Sequence, residues 1–138
     1  MSQENVEIIK AAIDAFNRQD WDAVFKYAAP SAELDFSRAE GPLSGVFKLD
    51  QLRPFFEDFA QYWESVLVEL HESIEAGGHL IAPMTMHARG REGVEVAASP
   101  TYVCTIRDGT IQRIVMYQER EDALEAVGLS EQDAHADS

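Results

Sequence analysis

Apolar positions recur at spacings of three and four near the start of the chain and change to strict alternation further on. Val6, Ile9, Ile13 and Phe16 form one stripe, with Ala12 beside it, and predict an amphipathic helix with Ser2 as N-cap. Asp20 can cap a second, short helix that buries Trp21, Val24 and Phe25 and ends before Pro30. Ala32, Leu34 and Phe36 then alternate with Glu33 and Asp35, which is the period of a strand. The stretch 37–47 holds Gly41, Pro42 and Gly45 and reads as a loop. Asp50 is placed to cap a third helix with Leu52, Phe55, Phe56 and Phe59 on one face. Pro54 is expected in its first turn, where a missing N–H costs least.

From about Glu64 onward the pattern is that of strands. Val66, Val68 and Leu70 alternate with Leu67, Glu69 and His71, and Gly77-Gly78 reads as a hairpin turn into a strand over 80–89. Gly93 marks the next turn, before one long strand over 94–107. Asp108-Gly109, a strong hairpin dipeptide, joins that strand to a last one over 110–118. Ala123, Leu124, Val127 and Leu129 predict a closing helical turn. Helices followed by a run of hairpin-linked strands argue an α+β fold. The architecture expected is a cone: three N-terminal helices packed on a curved antiparallel or mixed sheet around one interior pocket. Residues 1–130 read as one domain, and 131–138 as an acidic tail that frays.

Charge narrows the function classes. The formal net charge is −14, with 11 basic residues scattered among 25 acidic ones over 138 residues. Nucleic-acid binding needs a clustered basic surface, which the sequence does not supply, and an anionic membrane would repel such a chain. No apolar run approaches the ~20 residues that cross a bilayer. Met1-Ser2-Gln3-Glu4-Asn5 lacks the basic start of a secretory signal, so a cytoplasmic location is expected. Cys104 is the single cysteine and lies in an apolar strand pattern, which suits a buried, inert thiol. His71, His79, His87 and His135 fall in no metal-binding spacing, so neither a metal nor another cofactor is expected.

Several stretches resemble SnoaL-like proteins of the nuclear transport factor 2-like superfamily. They are Asn5-Val6-Glu7-Ile8-Ile9, Ala15-Phe16-Asn17-Arg18-Gln19-Asp20-Trp21, Gly45-Val46-Phe47, Ile74-Glu75-Ala76-Gly77 and Thr105-Ile106-Arg107-Asp108-Gly109. Tyr117-Gln118-Glu119-Arg120 and Ala123-Leu124-Glu125-Ala126-Val127-Gly128-Leu129 extend the likeness nearly to the end. The resemblance implies the cone-shaped fold and a superfamily that includes polyketide cyclases, ketosteroid isomerases, epoxide hydrolases and pocketed proteins without known catalysis. It also implies pairing of two copies through the outer face of the sheet. Fold does not determine activity, so the chemistry has to come from the site.

Three polar residues are candidates for acid–base chemistry in a greasy pocket, where burial raises a carboxyl pKa and a phenol can donate to a developing oxyanion. Glu119 matches, by resemblance, the acidic residue that related cyclases and epoxide hydrolases carry near the end of the last strand, there usually aspartate. Its other reading is a solvated charge beside Arg120 and Glu121. Tyr102 shares parity with Cys104 and Ile106, the inward set, at a position where relatives often carry histidine; it would line the pocket and donate a hydrogen bond. Asp35 stands on the strand that supplies the base in ketosteroid isomerase-like relatives, but its parity opposes Leu34 and Phe36 and sends it to solvent. Phe16, Phe55, Phe59, Trp63, Met84 and Met86 are the expected apolar lining, with Cys104. Tyr117 is a further lining candidate, although both faces of its strand are partly apolar.

The leading expectation is a homodimeric SnoaL-like protein that binds a small hydrophobic molecule. Any catalysis would be cofactor-free isomerisation, cyclisation or hydrolysis, with Glu119 as proton shuttle and Tyr102 as donor. The competing expectation is a pocketed binding or dimerisation module with no reaction. Polar side chains converging inside an open cavity would favour the enzyme.

Overall fold

The computed structural model of the chain describes residues 2–39 and 44–132. Helix α1 (Ser2–Asn17) is followed by α2 (Trp21–Phe25), whose N-cap Asp20 accepts a hydrogen bond from the Ala23 amide at 3.3 Å. Strand β1 (Ala28–Asp35) and the short β2 (Val46–Lys48) lead into α3 (Leu49–Tyr62). Then come β3 (Ser65–Leu70), β4 (Ile74–Ala76), β5 (His79–Arg89), β6 (Glu95–Ala98), β7 (Thr101–Arg107), β8 (Thr110–Tyr117) and α4 (Arg120–Ala126). The result is α+β: a curled mixed sheet in the order β2-β1-β8-β7-β5-β3, with β4 and β6 added along β5.

Several boundaries differ from the sequence pattern for identifiable reasons. Helix α3 starts at Leu49 because the Gln51 side chain accepts the Lys48 amide at 2.9 Å, so Asp50 lies inside the first turn and does not cap. Pro54 consequently sits in the second turn and leaves the Asp50 carbonyl without its helical donor, at an exposed position where water can serve. The expected loop over 37–47 contains the start of β2, which pairs with β1 through Asp35 and Val46. Strand β1 begins earlier than alternation suggested and runs parallel to β8, with an irregularity between Ala28 and Glu33. The long strand expected over 94–107 is two strands, interrupted at Ser99-Pro100. Asp108 (φ 53°) and Gly109 (φ 77°) are both left-handed, as a two-residue hairpin between β7 and β8 requires.

Strand β5 is the spine of the sheet. Its first half pairs with β4 on one edge and β7 on the other, and its second half with β3 and β6. The change of partners falls around Pro83, which has no N–H to offer either neighbour. Single backbone bonds from His71 to the Pro83 carbonyl and from Met84 to the Pro100 carbonyl, both 3.0 Å, carry the sheet across.

Apolar side chains are buried on both faces. On the inner face Leu80, Ala82, Cys104, Ile106 and Ile111 pack with Ile9 of α1. On the outer face Ile81, Val103, Val115 and Tyr117 pack with Ala123 and Leu124 of α4, which are 0% and 1% exposed. The second apolar face of β8 is therefore met by the chain's own last helix. Asn17 ties the end of α1 to the sheet edge: its side chain donates to the Val68 carbonyl and accepts from the Val68 amide, each at 2.9 Å. Arg120 binds both carboxylate oxygens of Glu131 (2.8 and 2.9 Å) and pairs with Glu72, so the tail expected from 131 is anchored at its first residue. Residues 133–138 of that tail lie outside the described residues. Among the described residues, no helix is long and apolar enough to cross a membrane.

Two outcomes test this packing. Leu124→Ala should destabilise the protein by about 2–5 kcal/mol, read from urea unfolding, because it opens a cavity under α4. Asp35 is only 8% exposed, and its carboxylate accepts hydrogen bonds from the Ser37 hydroxyl and amide and from Arg113 (3.0 Å). The Ser37 hydroxyl, then its amide and Arg113, hold the pKa below the ordinary 3.8 against the opposing effect of burial. The stabilisation is complete above that value and is lost as pH falls toward the lowered native pKa. Asp35→Asn should cost about 1–3 kcal/mol at pH 7. The gap between variant and wild type should narrow below about pH 4.

Candidate functional site

The inner face of the sheet and the three N-terminal helices enclose a cavity of about 530 Å³. Its roof is aromatic. Phe16 of α1 meets Phe56 of α3 edge-on at 5.5 Å, and Phe25 of α2 stacks on Phe56 at 5.8 Å. These rings hold the helices to one another, and Phe16, Phe25, Phe55, Phe56 and Phe59 turn faces or edges to the open space below. The floor comes from the sheet: Leu34, Val68, Met84, Met86, Ile114 and Met116. Exposed Ala98, Ser99 and Gln118, with half-exposed Ala39, mark its mouth.

Tyr102 is central to the floor. Strand parity brings it inward with Cys104, opposite Met116 of β8 and Ala82 of β5, and Phe36 stacks on its ring at 6.1 Å. It lines the cavity, and its hydroxyl makes no hydrogen bond to another described residue. Burial, with a smaller contribution from Cys104, pushes the phenol well above its usual pKa, and burial alone pushes the Cys104 thiol up to about 12. Both stay neutral at physiological pH, so Tyr102 can donate or accept one hydrogen bond but cannot serve as a base, and Cys104 is not a thiolate nucleophile.

The other two acid–base candidates are elsewhere. Glu119 is the exposed N-cap residue of α4, and its carboxylate caps nothing. Just past the end of β8, Gln118 lines the cavity mouth and Glu119 does not. Asp35 also points to the outer face, as its parity suggested, but it is buried there by Ser37 and Arg113 and is not solvated. Glu33 touches the cavity wall, yet its carboxylate is engaged by Lys48 and lies 3.6 Å from Arg113; the Lys48 hydrogen bond chiefly holds its pKa below the usual range. Among the described residues no polar group hydrogen-bonds to Tyr102, and the other polar lining residues besides Glu33 are Ser99 and Gln118 at the mouth.

Of the expected lining, Phe16, Phe55, Phe59, Met84, Met86 and Cys104 face the cavity. Trp63 does not: it is the C-cap of α3, against Tyr62 and Phe59 and beside Gly90. Tyr117 does not either, because the β8 register turns it to the outer face with α4; Arg38 lies over its ring at 4.4 Å. Phe36 and Gln118 are cavity residues that sequence reading did not single out. Gln118 shares parity with Met116 and Ile114, a signal that was there to use. The histidines are dispersed: His71 meets Thr85, His79 meets Thr105 at 3.1 Å and His87 meets Glu69 at 3.0 Å, while His135 lies outside the described residues. Among the described residues no group of three or more His, Cys, Asp or Glu side chains could hold a metal ion.

Comparison with solved structures places this geometry among known folds. TerC co-crystallised with polyporic acid superposes with a TM-score of 0.74 at 18% identity, covering 90% of this chain and 97% of that one. An NTF2-like protein of unknown function from Burkholderia pseudomallei gives 0.72 at 16% identity, covering 91% and 98%. A putative polyketide cyclase from Sinorhizobium meliloti gives 0.65 at 23% identity, covering 80% and 94%. At such identities the likeness speaks for the NTF2-like fold alone. No curated protein matches the sequence. The model of the SnoaL-like domain matches residues 9–114, most of the chain, and the protein therefore belongs to the SnoaL-like family.

Proposed function

We propose that the protein binds a small hydrophobic molecule inside its cone, with the Tyr102 hydroxyl as the polar contact that orients it. One observation carries this reading: an open cavity of about 530 Å³ with apolar walls and, in its floor, a tyrosine hydroxyl that makes no hydrogen bond to another described residue. Ligand sites have this composition, a largely apolar surface with few placed polar groups, and the volume is in the usual range for them. Structures of similar fold add support of a coarser kind, since one was crystallised with polyporic acid and another is called a putative polyketide cyclase.

Binding is favoured over turnover. Proton transfer on a carbonyl or epoxide needs a base within hydrogen-bond reach of the reacting atom. Glu119 and Asp35 face away from the cavity, and the Glu33 carboxylate is paired. Among the described residues Tyr102 is left as a neutral donor with no base bonded to it.

Binding can be followed with 2-acetylnaphthalene, a flat ketone, by equilibrium dialysis. Tyr102→Phe should weaken binding by roughly threefold to tenfold, the loss of one hydrogen bond, and leave 2-methylnaphthalene unaffected. Ala12→Trp, which fills the cavity from α1, should abolish binding of both while circular dichroism stays unchanged. Undiminished binding in Ala12→Trp would place the ligand outside the cone.

A further inference from the structure

We infer that the cavity selects its ligand by charge, accepting an uncharged molecule with an oxygen acceptor and rejecting the isosteric carboxylate. The inference rests on the binding reading above and narrows its substrate class. Its basis is the kind of charge the wall carries. Among the described residues no lysine, arginine or histidine lines the cavity. Among the described residues Glu33 is the one charged residue that touches it, and that carboxylate is committed to Lys48 and Arg113. Tyr102 can give a single hydrogen bond. Around this wall the chain has a formal net charge of −14, so the field an approaching anion meets is repulsive.

An ionised carboxylate needs several donors or a cationic partner once water is removed, and unpaired burial of such a charge is strongly unfavourable. A ketone, ester or quinone oxygen needs one donor, and Tyr102 supplies one. The aromatic roof accepts any flat face without regard to charge, so discrimination falls on the polar end of the ligand. Arg38, whose carbonyl accepts from the Gln118 amide at the mouth, turns its guanidinium onto the outer-face ring of Tyr117 and away from the ligand's polar end.

The test compares two molecules of nearly the same shape, 2-acetylnaphthalene and 2-naphthoate, by equilibrium dialysis against the intact protein. At pH 8 the ketone should bind at least roughly tenfold more tightly than the carboxylate. Between pH 8 and pH 6 the apparent affinity for the acid should rise by about tenfold per unit, because only its neutral form enters, while that for the ketone stays constant. Equal or tighter binding of the carboxylate at pH 8 would overturn the charge selection and leave the binding reading standing. So would a pH-independent affinity for the acid. If neither molecule bound, the binding reading and this inference would both fall.

Discussion

The sheet curls because the hydrogen-bonding partners of β5 change halfway along it, and the cavity depends on that change. Around Pro83 the neighbouring strands stop on both edges, β4 and β7 giving way to β3 and β6. A proline in a central strand is ordinarily a defect, because it removes a ladder bond. Here it coincides with the interruption at Ser99-Pro100, so the missing donor falls where the ladder is already broken. The two sections of sheet can then differ in direction and wrap a volume that a flat sheet would leave open to solvent.

Closure of that volume depends on rings that prefer one another. Phe16, Phe25 and Phe56, with Trp21 stacked at 6.2 Å on Phe56, bind α1, α2 and α3 into a roof. Because these contacts run between helices, the rings do not descend to fill the cone. On the other side of the sheet α4 lies on Ile81, Val103, Val115 and Tyr117. Strands buried on both faces give a rigid floor, and a rigid floor holds Tyr102 at one place under the roof. The binding proposal rests on that arrangement: among the described residues the interior is apolar and nearly free of charge.

Period-two alternation was informative wherever one face of a strand was apolar. On β7 it placed Tyr102, Cys104 and Ile106 inward, and on β1 it turned Asp35 away from Leu34. It was ambiguous on β8, where Ile114 and Met116 face the cone while Val115 and Tyr117 face α4, since both sets are apolar for different reasons. Burial of Asp35 was not legible, because it depends on Arg113, 78 residues away along the chain. Orientation of Glu119 was not legible either: it follows β8 as the exposed N-cap residue of α4, its carboxylate makes no capping bond, and it is not among the residues that line the cavity.

The amino-acid sequence by itself determined the fold class, the amphipathic helices, the Asp108-Gly109 hairpin and the inward parity of Tyr102. These depend on short-range periodicity and backbone preference, which neighbouring residues set. Only the tertiary structure decided which strands part company at Pro83, that α4 packs on the outer face, and that the cavity stays open with Tyr102 in its floor. Those outcomes come from contacts between segments far apart in the chain, and no local pattern records them.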